Sequence, residues 1–435
     1  MSGISARKGL LALSPIAVLL VVYLLGSIAA DGSMPISAAF LLASVYAVAT
    51  TRNGSLDERV NAFSRGAANS RIMYMVWIFV LAGAFATVAT AMGAIDASVA
   101  LTLNLVPVKY LPAGIFLASC LVSMSVGTSM GTIIALAPTA IGLAGPMGCS
   151  VPWALAIVVG GAFFGDNLSF ISDTTIAATQ TQGCSMRSKF RSNFMLVLPA
   201  AIVSLLIYAF SSNEAVEVSV QPITVEMVLK CLPYLVVIVT SMFGVNVLLV
   251  LVSGVVSAAL IGLSCGSLDG VDVFVKMGEG VASRSDLIGV TMLAGGLLEM
   301  VRLNGGIDYM ISAVVSRVRS RRGAESAICG LTAFANVCTA NNTIAILTVG
   351  SISRDISREY KISPRRAASL MDTTSCFVQG MIPYGAQLLL ASEIVSEELP
   401  GHPPVSPLEI IPYLYYPMAV GVLILISIFI ERVRK

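Results

Sequence analysis

Residues 151–182 read VPWALAIVVGGAFFGDNLSFISDTTIAATQTQ, and this stretch decides the class of fold. Its first fifteen residues carry no charge, but two aspartates and several hydroxyl and amide side chains follow. A hydrocarbon core of about 30 Å requires about 20 consecutive apolar residues for one helical crossing. An acid inside such a run is costly in lipid and usually serves a purpose. The stretch therefore predicts a membrane protein with a buried polar site.

The rest of the chain has the same character, since 56% of its 435 residues are hydrophobic and 11% are charged. No soluble domain has enough interior for that composition. We expect the first apolar run to be a retained helix, not a cleaved signal, because it leads directly into a second span. The sequence predicts an all-α integral membrane protein with about 10 transmembrane helices. Runs without Asp, Glu, Lys or Arg are 10–30, 36–51, 72–95, 110–165, 194–213, 231–268, 326–353, 373–392 and 410–430.

Several classes of protein are disfavoured. A net charge of +2 gives no electrostatic footprint for nucleic acid. The eight cysteines form no C-x-x-C pair and mostly lie in apolar runs, so they predict neither disulfides nor a metal centre. GTSMG at 127–131 matches the G-x-S-x-G nucleophile motif, but that motif needs a histidine base. His402 is the only histidine and falls in a distant Pro-rich loop, so we expect no enzyme and no cofactor.

The basic residues orient the predicted spans, because Lys and Arg beside short loops concentrate on the cytoplasmic side of a membrane. With the N-terminus inside, most of them fall on that side, and the external segments are acidic. We therefore expect a protein of the cell inner membrane with both termini in the cytoplasm. The basic segments assigned to the cytoplasm are 7–8, 52–71, 187–191, 302–322, 354–366 and 432–435.

Two apolar stretches, 110–147 and 324–352, fit this topology only as hairpins that enter and leave on the same side. The charges before and after each stretch lie in one compartment. Their centres read SVGTSMGT and NVCTANNT. A turn at membrane depth is tolerated only where protein or a wet cavity surrounds it. We predict two re-entrant hairpins with polar tips.

The sequence resembles itself after a shift of 212 positions. The segment after Gly54 is basic, whereas the one after Gly266 is acidic, so the two halves are predicted to lie inverted in the membrane. Inverted repeats are typical of secondary transporters, whose sites lie where the repeats meet. The matching segments are 54–57 with 266–269, 81–83 with 293–295 and, after a shorter shift, Asp-Thr-Thr at 173–175 with 372–374.

We divide the chain accordingly into two inverted repeats and two connecting segments. Each repeat is predicted to have three helices, one hairpin and one broken helix. The divisions are a first repeat at 1–193 with hairpin 110–147 and broken helix 151–182, a linking helix and external loop at 194–229, a second repeat at 230–396 with hairpin 324–352 and broken helix 365–396, and a C-terminal helix at 397–435.

Asp166 and Asp173 are the main candidates for chemistry. They are seven residues apart, so they share one face if the helix is continuous. Acids in such places usually mark ion or proton pathways, although each could instead cap a broken helix or pair with a basic residue. Asn167, Ser169 and Thr174 lie beside them and could complete an ion site.

Two further acids are open to two interpretations. Asp372, followed by Thr373, matches Asp173 in the repeat, but it lies two turns beyond a pair of arginines that could neutralise it. Glu299 could couple protons, or it could simply pair with Arg302 at i+3.

Neutral side chains at the hairpin tips could bind an ion. Hydroxyl and carbonyl oxygens suit a small hard cation, whereas amide donors and helix N-termini suit an anion. In membrane helices such side chains also often bond only their own backbone. Without an internal histidine, proton coupling must use carboxylates, and burial that raises a carboxyl pKa lets the same oxygens bind either a proton or a metal ion. The tip residues are Thr128, Ser129, Thr339, Asn341 and Asn342.

The run GDNLSFISDTT at 165–175 resembles the G-D-x-x-S-P-x-S-D-T-T signature of NhaC-type sodium/proton antiporters, with Phe170 in place of the proline. MRSKFRSNF at 186–194 and MDTTSCFVQGMIPYGAQ at 371–387 support the resemblance, which spans most of the chain. It implies that Na⁺ moves against protons in a fold with two hairpins. Some members of the broader group instead couple sodium to carboxylates or amino acids, and TANNT at 339–343 is similar to the hairpin signatures of sodium-coupled carboxylate carriers.

We therefore expect alternating access in which Asp173 and Asp166, aided by Thr174, bind Na⁺ or protons in turn, with Asp372 and Glu299 as further proton-coupling candidates. The alternative is a sodium-coupled symporter or exchanger of a small organic carboxylate or amino acid. A channel would need no coupled stoichiometry, and an intramembrane hydrolase would need Ser129. The expected partners are the lipid bilayer, Na⁺ and protons, and glycine-rich helix faces leave a homodimer open.

Overall fold

All regular structure in the described part of the chain is helical, which confirms the all-α class. Phe170, where the sequence departs from the family signature, lies outside the described residues. The computed structural model describes residues 6–29, 35–52, 54–126, 128–169, 172–211, 222–243, 245–399 and 401–429.

The first half begins with two apolar helices and a short amphipathic one, which starts with a capping box between Ser55 and Glu58. A broken helix and a long apolar helix end this half. Its helices are α1 Ala6–Ala29, α2 Ile36–Thr50, α3 Leu56–Ala67, α4 Ser70–Ala91, α5 Ala94–Leu105, α6 Leu111–Val126, α7 Ser129–Ala144, α8 Val151–Leu168, α9 Asp173–Gln182 and α10 Met186–Phe210.

The second half follows a similar order, and its short amphipathic helix also starts with a capping box, between Asp269 and Asp272. Its helices are α11 Val225–Met242, α12 Val247–Ser264, α13 Gly270–Ser283, α14 Ser285–Leu303, α15 Gly306–Val315, α16 Arg321–Thr339, α17 Asn342–Glu359, α18 Pro364–Met381, α19 Ala386–Glu398, α20 Pro407–Ile410 and α21 Tyr415–Phe429.

Four helical stretches of the described chain are long and apolar enough to cross a membrane, and two bent helix pairs could add two more spans. Large apolar side chains such as Leu25, Phe210 and Leu425 are more than half exposed on the outer helices, which suits a lipid surface. Among the described residues these candidate spans are fewer than the roughly 10 expected, and breaks divide charge-free runs such as 110–165 into shorter helices. The four stretches are Ile72–Ala91, Val151–Gln182, Met186–Phe210 and Val247–Ser264, and the bent pairs are Ala94–Leu105 with Val108–Met124 and Pro407–Tyr413 with Tyr415–Phe429.

Each predicted hairpin consists of two helices in contact. α6 and α7 occupy the first, and α16 and α17 occupy the second. Thr128 caps the start of α7 by accepting a hydrogen bond from the backbone of Gly131, and Asn341 caps α17 in the same way from Ile344. Helices α7 and α17 therefore begin at the two tips. The re-entrant character of the hairpins in a bilayer stays a prediction.

The two broken helices, α8–α9 and α18–α19, correspond after a constant shift of 213 positions. Val151 at the start of α8 corresponds to Pro364, and Asp173 at the start of α9 corresponds to Ala386. This register corrects one sequence match. Asp173 begins the half-helix that follows its break, whereas Asp372 lies in the middle of α18, before the second break. The Asp-Thr-Thr segments are therefore not in corresponding positions, and the match between them was wrong.

The two halves interlock through their amphipathic helices, since α3 packs on α14 and α13 packs on α4. Glycines make both crossings close. A Cβ added to Gly295 would lie 2.8 Å from the carbonyl oxygen of Gly66, and one added to Gly83 would collide with the carbonyl oxygen of Gly280. The exact limits of the two repeats stay a prediction, but these contacts place elements of both halves around a shared centre.

Candidate functional site

A cavity of about 290 Å³ lies between the two hairpin tips and the break of the first broken helix. Elements of both halves form its walls, so it lies at the junction where the sequence predicts a site. Of the described residues that line it, only Asp166 and Asp173 are charged. The lining residues are Tyr74, Met75, Ile78, Thr128, Ser129, Met130, Asp166, Ser172, Asp173, Thr174, Val245, Asn246, Val247, Asn341, Asn342, Thr343, Ala386 and Gln387.

Asp166 is fixed at the closed inner wall of this cavity. It lies in the last turn of α8 and is 4% exposed. Its Oδ1 accepts a hydrogen bond of 3.1 Å from the backbone N–H of Ser129, at the start of α7. Its carbonyl oxygen accepts a bond of 2.9 Å from the hydroxyl of Thr174. The hairpin tip and the start of α9 thus hold this carboxylate in place.

Asp173 is in a wetter place. It is the first residue of α9, its side chain is exposed, and it lines a second cavity of about 410 Å³ as well as the first. The second cavity runs along α9 and α17 as far as Gln180 and Leu347. A solute that enters along these two helices would therefore meet Asp173 before Asp166.

Hydroxyl and amide groups complete the cavity. The hydroxyl of Ser129 accepts a bond of 3.0 Å from the amide of Gln387, at the start of α19. Ser172 and Thr174 share a hydroxyl contact of 2.9 Å. These oxygens and the two carboxylates are groups of the kind that hold a small hard cation.

Five helices begin at this cavity: α7, α9, α12, α17 and α19. The N-terminus of a helix carries a partial positive charge and unpaired N–H groups. Converging N-termini stabilise the ionised form of nearby carboxylates and can also attract an anionic solute. The site therefore combines two negative side chains with a positive backbone field.

Other sequence candidates lie outside the cavity. The amide of Asn167 donates to the hydroxyl of Tyr416 at 2.9 Å, and the hydroxyl of Ser169 donates to the carbonyl of Met124 at 2.8 Å. Thr339 bonds the backbone of the second tip, and Thr373 bonds the carbonyl four residues before it. Their hydroxyl groups and the amide nitrogen of Asn167 thus have local structural partners.

Glu299 also lies away from the cavity. It is partly exposed on α14, and its carboxylate is 3.9 Å from the guanidinium of Arg302. This is the local i,i+3 pair that the sequence offered as one of two interpretations. An exposed pair of this kind contributes little to stability.

The structure gives Asp372 a different setting from the predicted ion site. Asp372 is fully buried, and its Oδ2 lies 2.7 Å from the ammonium of Lys189 and 2.6 Å from the amide nitrogen of Asn193. It does not line the cavity. In the structure Asp372 is thus the partner of Lys189 in a buried ion pair, and its role in ion binding and proton coupling stays a prediction.

Sequence reasoning missed several residues of this region. Lys189 reads as one charge in a basic cytoplasmic segment, yet it is 1% exposed. Arg284 is fully buried with Glu397 as its partner. Nothing in the sequence pattern set Gln387 apart from other glutamines. A basic residue seven positions after an apolar broken helix was the one available hint for Lys189.

Comparison with known proteins gives distant relatives. The Na⁺/H⁺ antiporter NhaC of Bacillus subtilis is 21% identical over 67% of this chain and 72% of its own length. NhaC of Alkalihalophilus pseudofirmus is 21% identical over 71% of this chain and 73% of its own length. The malate-2H⁺/Na⁺-lactate antiporter of Bacillus subtilis is 26% identical over 35% of this chain and 32% of its own length.

Among solved structures, the Alcanivorax borkumensis YdaH transporter aligns with 85% of this chain and 87% of its own chain, at 14% identity and a TM-score of 0.44. The sequence profile of the Na⁺/H⁺ antiporter family matches residues 7–213 and 209–429, which together cover nearly the whole chain. The resemblance inferred from residues 165–175 is confirmed. The chain belongs to the Na⁺/H⁺ antiporter family and is a multi-pass membrane antiporter, not an enzyme.

Proposed function

We propose that this antiporter exchanges Na⁺ for H⁺, with Asp166 and Asp173 as the groups that bind the cation or protons in turn. The observation that carries the proposal is their position. Both acids line one cavity between the halves, among the hydroxyls of Thr128, Ser129 and Thr174. A carboxylate can hold either a proton or a metal ion, so competition for the same oxygens couples the two flows.

The two acids have different tasks in this scheme. Asp173 is exposed to the second cavity and receives the ion from water. Asp166 is buried and bonded to the start of α7, so it completes the site once the ion has lost water. The positive ends of the surrounding helices favour the ionised carboxylates, which are the form that binds Na⁺. The inner-membrane location and cytoplasmic termini belong to the same proposal.

A second candidate is exchange of a small organic carboxylate or amino acid together with cations. Two observations favour it. The joined cavities of about 290 and 410 Å³ are larger than a bare sodium ion requires. The five helix N-termini also suit a carboxylate group. The relative named as a malate-2H⁺/Na⁺-lactate antiporter shows that such exchange occurs in one similar protein.

Reconstitution in proteoliposomes tests these functions. A Na⁺ gradient should drive a pH change with no organic solute present, and Asp173→Asn should abolish it. Asp308→Asn is the matched control, because Asp308 is an exposed acid on α15 that does not line the cavity. Strict dependence on an added carboxylate or amino acid would favour the second candidate. Sodium flux that ignores the proton gradient would contradict antiport.

A further inference from the structure

Lys189 is the one buried lysine of the described chain, and it lies beside the break that separates the two cavity acids. It is in the first turn of α10 and is 1% exposed. Its ammonium lies 2.7 Å from Asp372 Oδ2, 2.8 Å from the carbonyl oxygen of Asn167 and 2.7 Å from the hydroxyl of Thr175. An ammonium has three hydrogens to donate, and these three acceptors use all of them.

Two of these acceptors lie on opposite sides of the break. Asn167 follows Asp166 in the last turn of α8, where carbonyl groups lack partners within the helix. Thr175 follows Asp173 by two residues in the first turn of α9. The third acceptor, Asp372, belongs to α18 of the other half. One side chain therefore joins the end of α8, the start of α9 and the opposite half.

Asn193 reinforces this arrangement one turn along α10. Its amide nitrogen donates to the carbonyl of Asn167 at 2.8 Å and to Asp372 at 2.6 Å. The second break has a different arrangement, in which the neutral amides of Gln379 and Gln387 bond each other at 2.9 Å. Of the two breaks, the one beside the cavity acids is held by an ammonium.

We propose that Lys189 is a positioning residue of the exchange site. It does not line the cavity, but its ammonium fixes both sides of the α8–α9 break and thereby sets the places of Asp166 and Asp173. A cation at the end of α8 also complements the negative end of that helix. The ordinary alternative is a buried ion pair that only stabilises the fold. The proposal rests on the proposed function for its transport readout.

The test neutralises the ion pair without leaving one charge alone. In the double variant Lys189→Met with Asp372→Asn, the net charge is unchanged but the bonds to Asn167 and Thr175 are lost. The apparent KM for Na⁺ should rise about 10- to 100-fold, the range for residues that orient metal ligands. Hydrogen exchange measured by mass spectrometry should become faster in the segment 164–182.

A matched control exists on α18, the helix that carries Asp372. Arg366 of α18 forms another buried ion pair, at 3.0 Å, with Glu325, and neither residue lines the cavity. The double variant Arg366→Met with Glu325→Gln should lower thermal stability but leave the KM for Na⁺ unchanged. If it raised the KM as much as the Lys189 and Asp372 variant, the effect would belong to lost stability and the proposal would be overturned.

A conservative variant covers the case in which the Lys189 variant fails to insert. Thr175→Val removes one acceptor of the ammonium with almost no change in volume, and Thr175→Ser restores the hydroxyl. The KM should rise in the first and return towards the wild-type value in the second. Equal KM values in the two variants would overturn the proposal.

The single variant Lys189→Met should change the pH profile of exchange, which a change in packing alone would not shift. Loss of a positive charge near carboxylates makes them hold protons more tightly, so the pH profile of exchange should shift to higher pH. The double variant, in which the net charge is restored, should shift much less. Equal profiles for the single variant and the wild type would count against the positioning role.

Failure of the proposed function can be told apart from failure of this inference. If the wild type exchanges no Na⁺ for H⁺, the function falls, and hydrogen exchange alone decides the role of Lys189. Faster exchange in 164–182 in the Lys189 and Asp372 variant then supports the tether, and unchanged exchange overturns it. In a protein that does exchange Na⁺, faster hydrogen exchange with an unchanged KM would reduce Lys189 to a structural role.

Discussion

The two broken helices share a backbone plan but differ in chemistry. α8 and α18 each have 18 residues, follow a serine and carry a proline in the first turn, and each is followed by a short break and a second half-helix. At the first break the corresponding positions hold Asp166 and Asp173, whereas at the second they hold Gln379 and Ala386. The repeat therefore gives each half a broken helix inside the protein, but only the first half places acids at its break.

The same comparison separates the two ends of the cavity. Along α9 and α17, water-sized space extends from Asp173 to Gln180. On the corresponding side, bonded side chains hold the end of α19. Arg284 and Ser283 each contact Glu397 at 2.5 Å, and the hydroxyl of Thr90 donates to Glu398 at 2.8 Å, and both glutamates lie in the last turn of α19. The site cavity adjoins a second cavity along α9 and α17, and we call that side open. Among the described residues, the site cavity shares no lining residue with the cavity of about 830 Å³ at the ends of α7 and α19, and we call that side closed.

The largest expected effect comes from moving charge between the two breaks. Asp166→Asn should abolish Na⁺-driven proton movement in proteoliposomes, because the amide carries no charge and takes up no proton, although its oxygen can still accept from Ser129. Adding Gln379→Glu to this variant should not restore transport. The amide of Gln379 donates to the carbonyl of Ala340 at 2.9 Å, and a glutamate there would lose this bond and would not face the cavity.

Gln379→Glu alone is the control for that variant. It should insert and retain the cavity acids, so measurable exchange should remain. If the double variant recovered transport, the two breaks would be chemically interchangeable, and the division into a charged and a neutral half would be wrong.

The second effect concerns access. In a background that lacks the eight native cysteines, Gln180→Cys and Glu393→Cys are each labelled with a membrane-impermeant thiol reagent added on the side they face. Gln180→Cys should react several-fold faster. Position 393 corresponds to 180 after the shift of 213, but Gln180 is exposed, whereas Glu393 is only partly exposed on the closed side. Labelling in vesicles of both orientations measures each rate.

Transport should reverse this preference. A condition that favours the opposite state, such as an inverted Na⁺ gradient, should slow the reaction at position 180 and speed it at position 393. Rates that stay fixed under both gradients would contradict alternating access between these two paths.

The sequence predicted the plan of the fold and half of the site for identifiable reasons. The acids in residues 165–175 and the polar tips at 128 and 341 stand out against apolar surroundings, and the structure brings them to one cavity. Lys189 did not stand out, because two more basic residues, Arg187 and Arg191, lie within two positions of it and loops are usually basic. A charge count cannot tell a solvated lysine from one that faces a buried carboxylate.

The repeat register failed for a related reason. Matching the two Asp-Thr-Thr segments required a shift shorter than the 213 positions that relate the helices. Identical letters reflect similar chemistry, and Asp372 is a buried acid too, but in the structure it faces the ammonium of Lys189 and does not line the cavity. Helix ends and breaks, which depend on backbone capping, mark the repeat more faithfully than polar side chains do.

The smallest expected effect tests whether the two glycine crossings between the halves are equally tight. Gly83→Ala should lower the free energy of unfolding by about 1–3 kcal/mol, the range for overpacking, because the new Cβ would meet the backbone of Gly280 and lie 2.8 Å from Cγ of Arg284. Gly295→Ala should lower it less, since its nearest atom, the carbonyl oxygen of Gly66, lies 2.8 Å away. Denaturation in detergent measures both.

Gly289→Ala gives the reference for these variants, because nothing lies within 4 Å of the added Cβ. It should be neutral or stabilise the protein by about 0.5–1 kcal/mol, since alanine loses less backbone entropy in a helix. The tighter crossing is the one beside Arg284, on the closed side of the protein. If Gly83→Ala loosens that side, it should also raise the labelling rate of Glu393→Cys, whereas Gly295→Ala should not. Equal effects of the two variants on labelling would show that the crossings do not distinguish the open path from the closed one.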